Sequence, residues 1–368
     1  MGRDTAKKIW LYTIIVITIG LIALYSATYQ NVRVPHSLFY NQLVWAGVGL
    51  VFMYYVSRFD YRHYYDAAYV VYAINVIILL FVLIGGRHAL GARRWIEIAG
   101  FNFQPSELTK FAVILLLARY YSNRNPNLSF NFHNKLQEFF RDVGFPFFLV
   151  CLSMALIFKQ PDLGTSLLML GIFLFIAFAS DVDWRFLGVF CAGCVAIVPV
   201  GWHALKEYQK DRLLVFLNPN IDPLGAGYTI IQSQISVGSG QLWGKGWLSG
   251  SQNLLNFLPE RHTDFIFSVI GEEWGLLGTV FLIYCYFILI NCGLDIASHL
   301  KDKFGQCVAI GIVAILLLQV VINIGMVLGL CPVVGLTLPL ISYGRTSFLM
   351  FIFMMGVLLN LNRKRMAF

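Results

Sequence analysis

QCVAIGIVAILLLQVVINIGMVLGLC, residues 306–331, runs its whole length without a charged side chain. A helix needs about 20 such residues to cross the hydrocarbon core of a bilayer. Within it, Gln319 and Asn323 read as interhelical hydrogen-bonders, and Gly325 and Gly329 form a G-x-x-x-G that reads as close helix packing. Nine further apolar runs extend the pattern outward, at about 9–28, 40–57, 66–86, 107–121, 144–159, 163–181, 185–204, 265–294 and 343–362. The 368 residues are 58% hydrophobic and 12% charged, where a soluble domain averages about 25% charged. Mean hydropathy is +0.70, too much apolar surface for a chain of this size to turn inward. The expected fold is an all-α polytopic membrane domain over 1–368, with about ten transmembrane helices. One large extracytoplasmic loop, 205–264, lies between spans seven and eight, and a cytoplasmic loop covers 122–143.

The first run follows Arg3, Lys7 and Lys8, as a signal peptide would. It is longer than a typical signal core, and no A-x-A-like site follows, so it reads as a retained span. With both termini cytoplasmic, the inner segments hold 15 of the 27 Lys and Arg residues, as the positive-inside rule asks. The net charge of +8 is accounted for by inner-loop cations facing anionic headgroups, not by nucleic acid. Cys191 and Cys194 form a C-x-x-C inside an apolar run with no second pair, so they read as small core residues rather than a zinc site. In the inner loop, Leu136, Phe139 and Phe140 suggest an amphipathic surface helix. No internal repeat supports an inverted-repeat transporter.

The outer loop is rich in glycine and charge, a composition suited to function. Its GSGQLWGKG, residues 238–246, fails the P-loop pattern. Ionisable residues within spans are costly, so each is a functional candidate. Glu107 and Lys110 open the fourth span at i, i+3 and can pair, with Ser106 as the helix cap. The pair suits either helix packing or a polar cavity. Asp162 suits either a cap for the sixth span or a site. Asp264, at the junction of loop and span, suits either a cap or a general base. Arg93, Arg94 and Lys110 would neutralise phosphate oxygens. A base beside a pyrophosphate clamp suits glycosyl transfer from a lipid-linked diphosphate sugar. Taken without any resemblance, such charged cavities suit a transporter or channel better than an enzyme.

Four stretches carry a resemblance to the SEDS family (shape, elongation, division and sporulation). They are Gly91-Ala-Arg-Arg-Trp-Ile96 with Phe103-Gln-Pro-Ser-Glu-Leu-Thr-Lys110; Lys159-Gln-Pro-Asp-Leu-Gly-Thr165; the loop from Asp222 to Phe265; and Asn323 through Pro332 to Gly344. Pro259-Glu-Arg-His-Thr-Asp264 is closer to the elongation (RodA-type) members than to the division (FtsW-type) members, which usually carry Ala where Arg261 stands. The resemblance implies a glycosyltransferase that polymerises lipid II with a class B penicillin-binding protein and other elongation-complex membrane proteins, in the cytoplasmic (inner) membrane. It implies Asp264 as the essential acid and Glu107 and Lys110 as important residues. The substrate contacts it suggests are Arg93, Arg94, Glu107, Lys110, Asp162, Arg212, Lys245, Glu260 and His262. A divalent cation, Mg or Mn, would suit the diphosphate, but no spacing identifies metal ligands. Arg345 stands where the family usually has a second Gly. A lipid II flippase and a non-catalytic scaffold of the elongation complex are the rival readings.

Overall fold

The structure, a computed structural model, describes residues 2–29, 37–89, 92–98, 101–124, 132–205, 207–225, 227–255 and 257–367. The apolar runs fold as helices. These are α1 (Gly2–Tyr29), α2 (Ser37–Val56), α3 (Arg62–Gly85), α4 (Pro105–Ser122), a pair α5 (Phe132–Phe139) and α6 (Phe145–Lys159), α7 (Leu163–Ala179) and α8 (Trp184–Ala204). The segment after α8 carries α9 (Glu207–Leu217), α10 (Tyr228–Ser239) and the single turn α11 (Ser251–Leu254). The chain closes with α12 (Ile266–His299), α13 (Lys303–Val327) and α14 (Arg345–Ala367). Among the described residues six helical stretches are long and apolar enough to cross a membrane, one of them Lys135–Lys159 running through α5 and α6, and α7 and the stretch Trp184–Pro199 are shorter apolar helices. The termini meet at one end of the bundle: Asn362 donates to Gly2 O at 2.7 Å, and Asp295 accepts from both Thr5 (2.9 Å) and Arg365 (2.6 Å).

Several local expectations change. Three antiparallel strands follow α3, β1 (Arg87–Ala89), β2 (Ala92–Ile98) and β3 (Phe101–Phe103), with Ile96 opposite Phe103 and Ile98 opposite Phe101. Leu136 and Phe139 lie on α5, a short amphipathic helix as expected, with Leu136 exposed. A π-helical turn, Phe140–Gly144, joins α5 to α6, and Phe139 packs on Phe186 at 5.8 Å. Cys191 is exposed on α8 rather than a core residue, because α8 turns few side chains toward the bundle. Ser106 does not cap α4: Gln104 holds the N-cap position and Pro105 the first turn, where a missing N–H costs nothing.

The G-x-x-x-G is not a packing pair either. Gly329, at φ 72°, lies beyond the end of α13. Leu330 N donates to Gly325 O (2.7 Å) and Gly329 N to Met326 O (3.2 Å), the two bonds of a Schellman stop. From there residues 329–344 run without a regular helix into the bundle. Gly20 of α1 admits them: a Cβ there would lie 2.8 Å from Ile341 Cα.

α12 is broken at Gly275 (φ 66°, ψ −161°). The broken hydrogen bonds are made good by residues 241–246. Lys245 N and Gly246 N donate to the carbonyls of Glu272 and Glu273, both at 3.0 Å, and Leu276 N donates to Gln241 O at 2.8 Å. The stretch rejected as a phosphate loop therefore fills a helix break, where a Cβ on Gly244 (φ 79°) would lie 2.1 Å from Glu273 O. A Cβ on Gly275 would sit 2.3 Å from Gly244 N. Gly275→Ala is expected to cost roughly 3 kcal/mol, read as a fall in the melting temperature of the detergent-solubilised protein. An unchanged value would show that the break tolerates a side chain.

Candidate active site

Asp264 ends the long segment between α8 and α12. It does not cap α12, whose N-cap residue is Phe265 and which has no side-chain cap. Its backbone is fixed instead by neighbours. Asn323 Nδ2 donates to Asp264 O at 2.9 Å and to Leu336 O at 2.7 Å. Ser342 Oγ donates to Thr263 O at 2.6 Å, and Tyr343 N to His262 O at 2.9 Å. Glu260, at φ 50°, starts the turn, with Thr263 N donating to its carbonyl at 3.1 Å. The buried Arg261 pins the turn to α1 by donating to Ala27 O at 3.1 Å.

The Asp264 carboxylate is half-buried and accepts no hydrogen bond from a described residue. Burial, then the nearby Glu260, push its pKa up to about 6, while Arg212 and Arg94 oppose the shift and Asp162 adds to it. Burial likewise lowers the pKa of His262, with Glu260 pulling partly back. A carboxyl with free lone pairs and a pKa near the working pH is what a general base requires.

Of the residues expected around it, Arg94, Asp162, Arg212 and Glu260 all bear on Asp264 electrostatically. Arg94 reaches from β2 to the turn before α7, donating to Gln160 O at 2.8 Å and to Pro161 O. Asp162 in that turn caps α7, accepting from Thr165 N (3.1 Å) and Thr165 Oγ1 (3.0 Å). The exposed Arg212 donates to Val333 O at 3.3 Å. Arg93 lies on β2, but its side chain falls outside the described residues. Glu107 and Lys110 pair at 2.6 Å. Lys110 is wholly buried, also donating to Gln319 Oε1 at 3.2 Å and lying over the Phe351 ring. It is enclosed by protein here.

Lys245 is drawn elsewhere, to Glu272 at 2.7 Å. Ser251 Oγ and Gln252 N also donate to Glu272 Oε1, both at 3.1 Å. Arg345 opens α14, half-buried. Sequence reasoning assigned Gln319 and Asn323 only to helix contacts. Their polarity in an apolar run was the available signal, and both also bond non-helical backbone near the candidate residues.

Among the described residues no group of three or more His, Cys, Asp or Glu is placed to hold a metal ion.

A family model described as a cell cycle protein, FtsW/RodA/SpoVE, matches residues 6–367. The peptidoglycan glycosyltransferase MrdB of Escherichia coli (strain K12) is 42% identical over 322 residues, 86% of this chain and 84% of that protein. A chain from a solved peptidoglycan synthase complex, described as coordinating polymerization and crosslinking, superposes with a TM-score of 0.81 at 30% identity, covering 97% of both chains. The crystal structure of the rod shape determining protein RodA of Thermus thermophilus gives 0.70 at 28% identity, over 97% of this chain and 96% of that one.

The Glu272 cluster yields a stability prediction. Lys245→Met would leave the wholly buried Glu272 without its cation, at a cost of roughly 3 kcal/mol. Chemical or thermal unfolding in detergent measures it. An unaffected protein would show that Ser251 and Gln252 suffice.

Proposed function

The chain belongs to the FtsW/RodA/SpoVE family, and from that premise we propose that it is a peptidoglycan glycosyltransferase of the elongation type, polymerising lipid II. The observation that carries the reading is the Asp264 carboxylate, which accepts no hydrogen bond from a described residue and is acted on by Arg94 and Arg212. In this reading Asp264 takes the proton from the acceptor GlcNAc 4-hydroxyl. The oxygen attacks the anomeric carbon of the lipid-linked donor with inversion. The bond from that carbon to the diphosphate oxygen breaks, and the lipid diphosphate leaves with the electron pair.

Arg94 and Arg212 are the first candidates for the departing negative charge, since a guanidinium matches phosphate oxygens bidentately. Arg93 on the same strand is a further candidate. Glu107 and the enclosed Lys110 act behind them, shaping the site. Glu260 and His262 hold the turn that presents Asp264. The reaction faces the outside of the cytoplasmic membrane, with both termini in the cytoplasm, in line with the excess of Lys and Arg on the terminal side. Cross-linking of the strands on the same outer face falls to the partner, a class B penicillin-binding protein, alongside other membrane proteins of the elongation complex. The likeness to a chain of a peptidoglycan synthase complex supports such a partner.

The test is to purify the chain with its cognate penicillin-binding protein, supply labelled lipid II, and resolve the glycan product by gel. Wild type is expected to give a ladder and Asp264→Asn to lose it, by about 10²- to 10⁴-fold in rate. A ladder in both would remove Asp264 as the base. No ladder from either intact complex would favour a flippase or a scaffold.

Two consequences follow from the raised pKa. The wild-type rate falls as pH drops through about 6 and Asp264 takes up a proton. Because the folded state favours the protonated form, the stability this group contributes is full below the ordinary carboxylate pKa and is lost as pH rises through about 6. Asp264→Asn, neutral throughout, is therefore expected to melt higher than wild type at pH 7–8. A lower melting temperature would contradict the burial on which the shift rests.

A further inference from the structure

Gln319 and Asn323 lie one turn apart on α13, and both are wholly buried. Each spends amide hydrogens on the non-helical segment 329–344. Asn323 grips Leu336 O at 2.7 Å, and Gln319 grips the next carbonyl, Thr337 O, at 2.9 Å. Gln319 also donates to Thr337 Oγ1 at 3.3 Å, and one further bond from each residue reaches a charged part of the site. Asn323 also donates to Asp264 O at 2.9 Å, and Gln319 Oε1 accepts from Lys110 Nζ at 3.2 Å.

The segment they hold passes close to the carboxylate. A Cβ on Gly335 (φ 73°) would lie 3.6 Å from Asp264 Oδ2. An amide that merely fastened one helix to another would bond across that helix pair. These two bond the same stretch of loop backbone at adjacent residues, and Asn323 acts wholly as a donor: its Oδ1 has no partner among the described residues.

We propose that Gln319 and Asn323 are positioning residues that set Asp264 and the Glu107–Lys110 pair in one rigid frame, using the carbonyls of Leu336 and Thr337 as the shared reference. The proposal rests on Asp264 being the general base. Displacing a reacting group by about 1 Å costs on the order of 10²-fold in rate. Positioning of this kind acts on the chemical step more than on the capture of substrate.

The experiment measures kcat and KM for lipid II in the complex with the penicillin-binding protein, for Asn323→Leu, Gln319→Met, the double variant and Asp264→Asn, with melting temperatures alongside. Asn323→Leu is expected to lower kcat about 10²-fold and Gln319→Met about tenfold, with KM changed less than about threefold. The double variant should fall little below Asn323→Leu alone, because both residues act through one segment. Should Asn323→Leu not fold, Asn323→Ser, which keeps one hydroxyl donor, carries the same readout beside Gln319→Met. A folded Asn323 variant with wild-type kcat, or a loss confined to KM or to melting temperature, overturns the proposal. Losses that simply multiply in the double variant overturn the shared frame. An active Asp264→Asn would instead defeat the reading of Asp264 as base, which separates the two failures.

Discussion

Backbone amides and carbonyls that lack helical partners inside a membrane bundle must find others, because each one left unpaired in hydrocarbon costs several kcal/mol. Residues 329–344 pose that problem to the whole molecule. Gly20 lies nine residues inside the end of α1, so the segment it admits dips about 13 Å into the bundle at 1.5 Å per residue. Side chains from the surrounding helices meet the demand: Tyr286 of α12 donates to Pro339 O at 2.5 Å, and Gln319 and Asn323 of α13 take Thr337 O and Leu336 O. Ser342 accepts from Leu338 N at 2.8 Å. Leu340 holds a left-handed backbone (φ 64°) within this framework. Irregular backbone at such depth persists where protein surrounds it or where it lines a site, and this segment borders Asp264.

The break in α12 obeys the same constraint from the other side of Asp264. Its freed carbonyls and amides are taken up by residues 241–246, while Glu272, one turn before the break, draws in Lys245, Ser251 and Gln252. The long segment between α8 and α12 is thus tied to the bundle at the break, at the 260–265 turn and through Arg212 to Val333. A loop fastened at three places can hold a side chain to the tolerance that catalysis needs, where a loop free at its tip could not.

How much of this was legible in sequence depends on whether the signal was local. Runs of apolar residues located the long helices, and i, i+3 spacing found the Glu107–Lys110 pair, because both are properties of one helix. The three strands after α3 were missed. They are three to seven residues long, too short to announce themselves amid arginines and glycines. Gly329 was misread because the same G-x-x-x-G spacing serves a helix interface or, one residue past a helix end, a left-handed stop. Lys245 was grouped with Asp264 by charge and loop membership alone. Its actual partner, Glu272, lies across a helix break that no sequence window displays. That Asp264 does not cap α12 was likewise a tertiary matter, decided by which residue begins the helix.

The acids of the bundle then divide by how their charge is met. Glu107 has Lys110, Asp142 has Arg124 and Arg141, Glu272 has Lys245, and Glu273 accepts from Ser26. Asp162 is satisfied by Thr165. Each of these carboxylates is buried, and each is held by a hydrogen bond or an ion pair, as burial of charge demands. Asp264 differs in kind. Its backbone is secured by Asn323 and its neighbours, yet its carboxylate accepts no hydrogen bond from a described residue and its pKa is pushed up to about 6. The fold meets the charge of its other buried acids and leaves this one underused, and under the proposed function a substrate hydroxyl repays that cost. In the proposed reaction, a fixed backbone with an open side chain keeps the base both aimed and available.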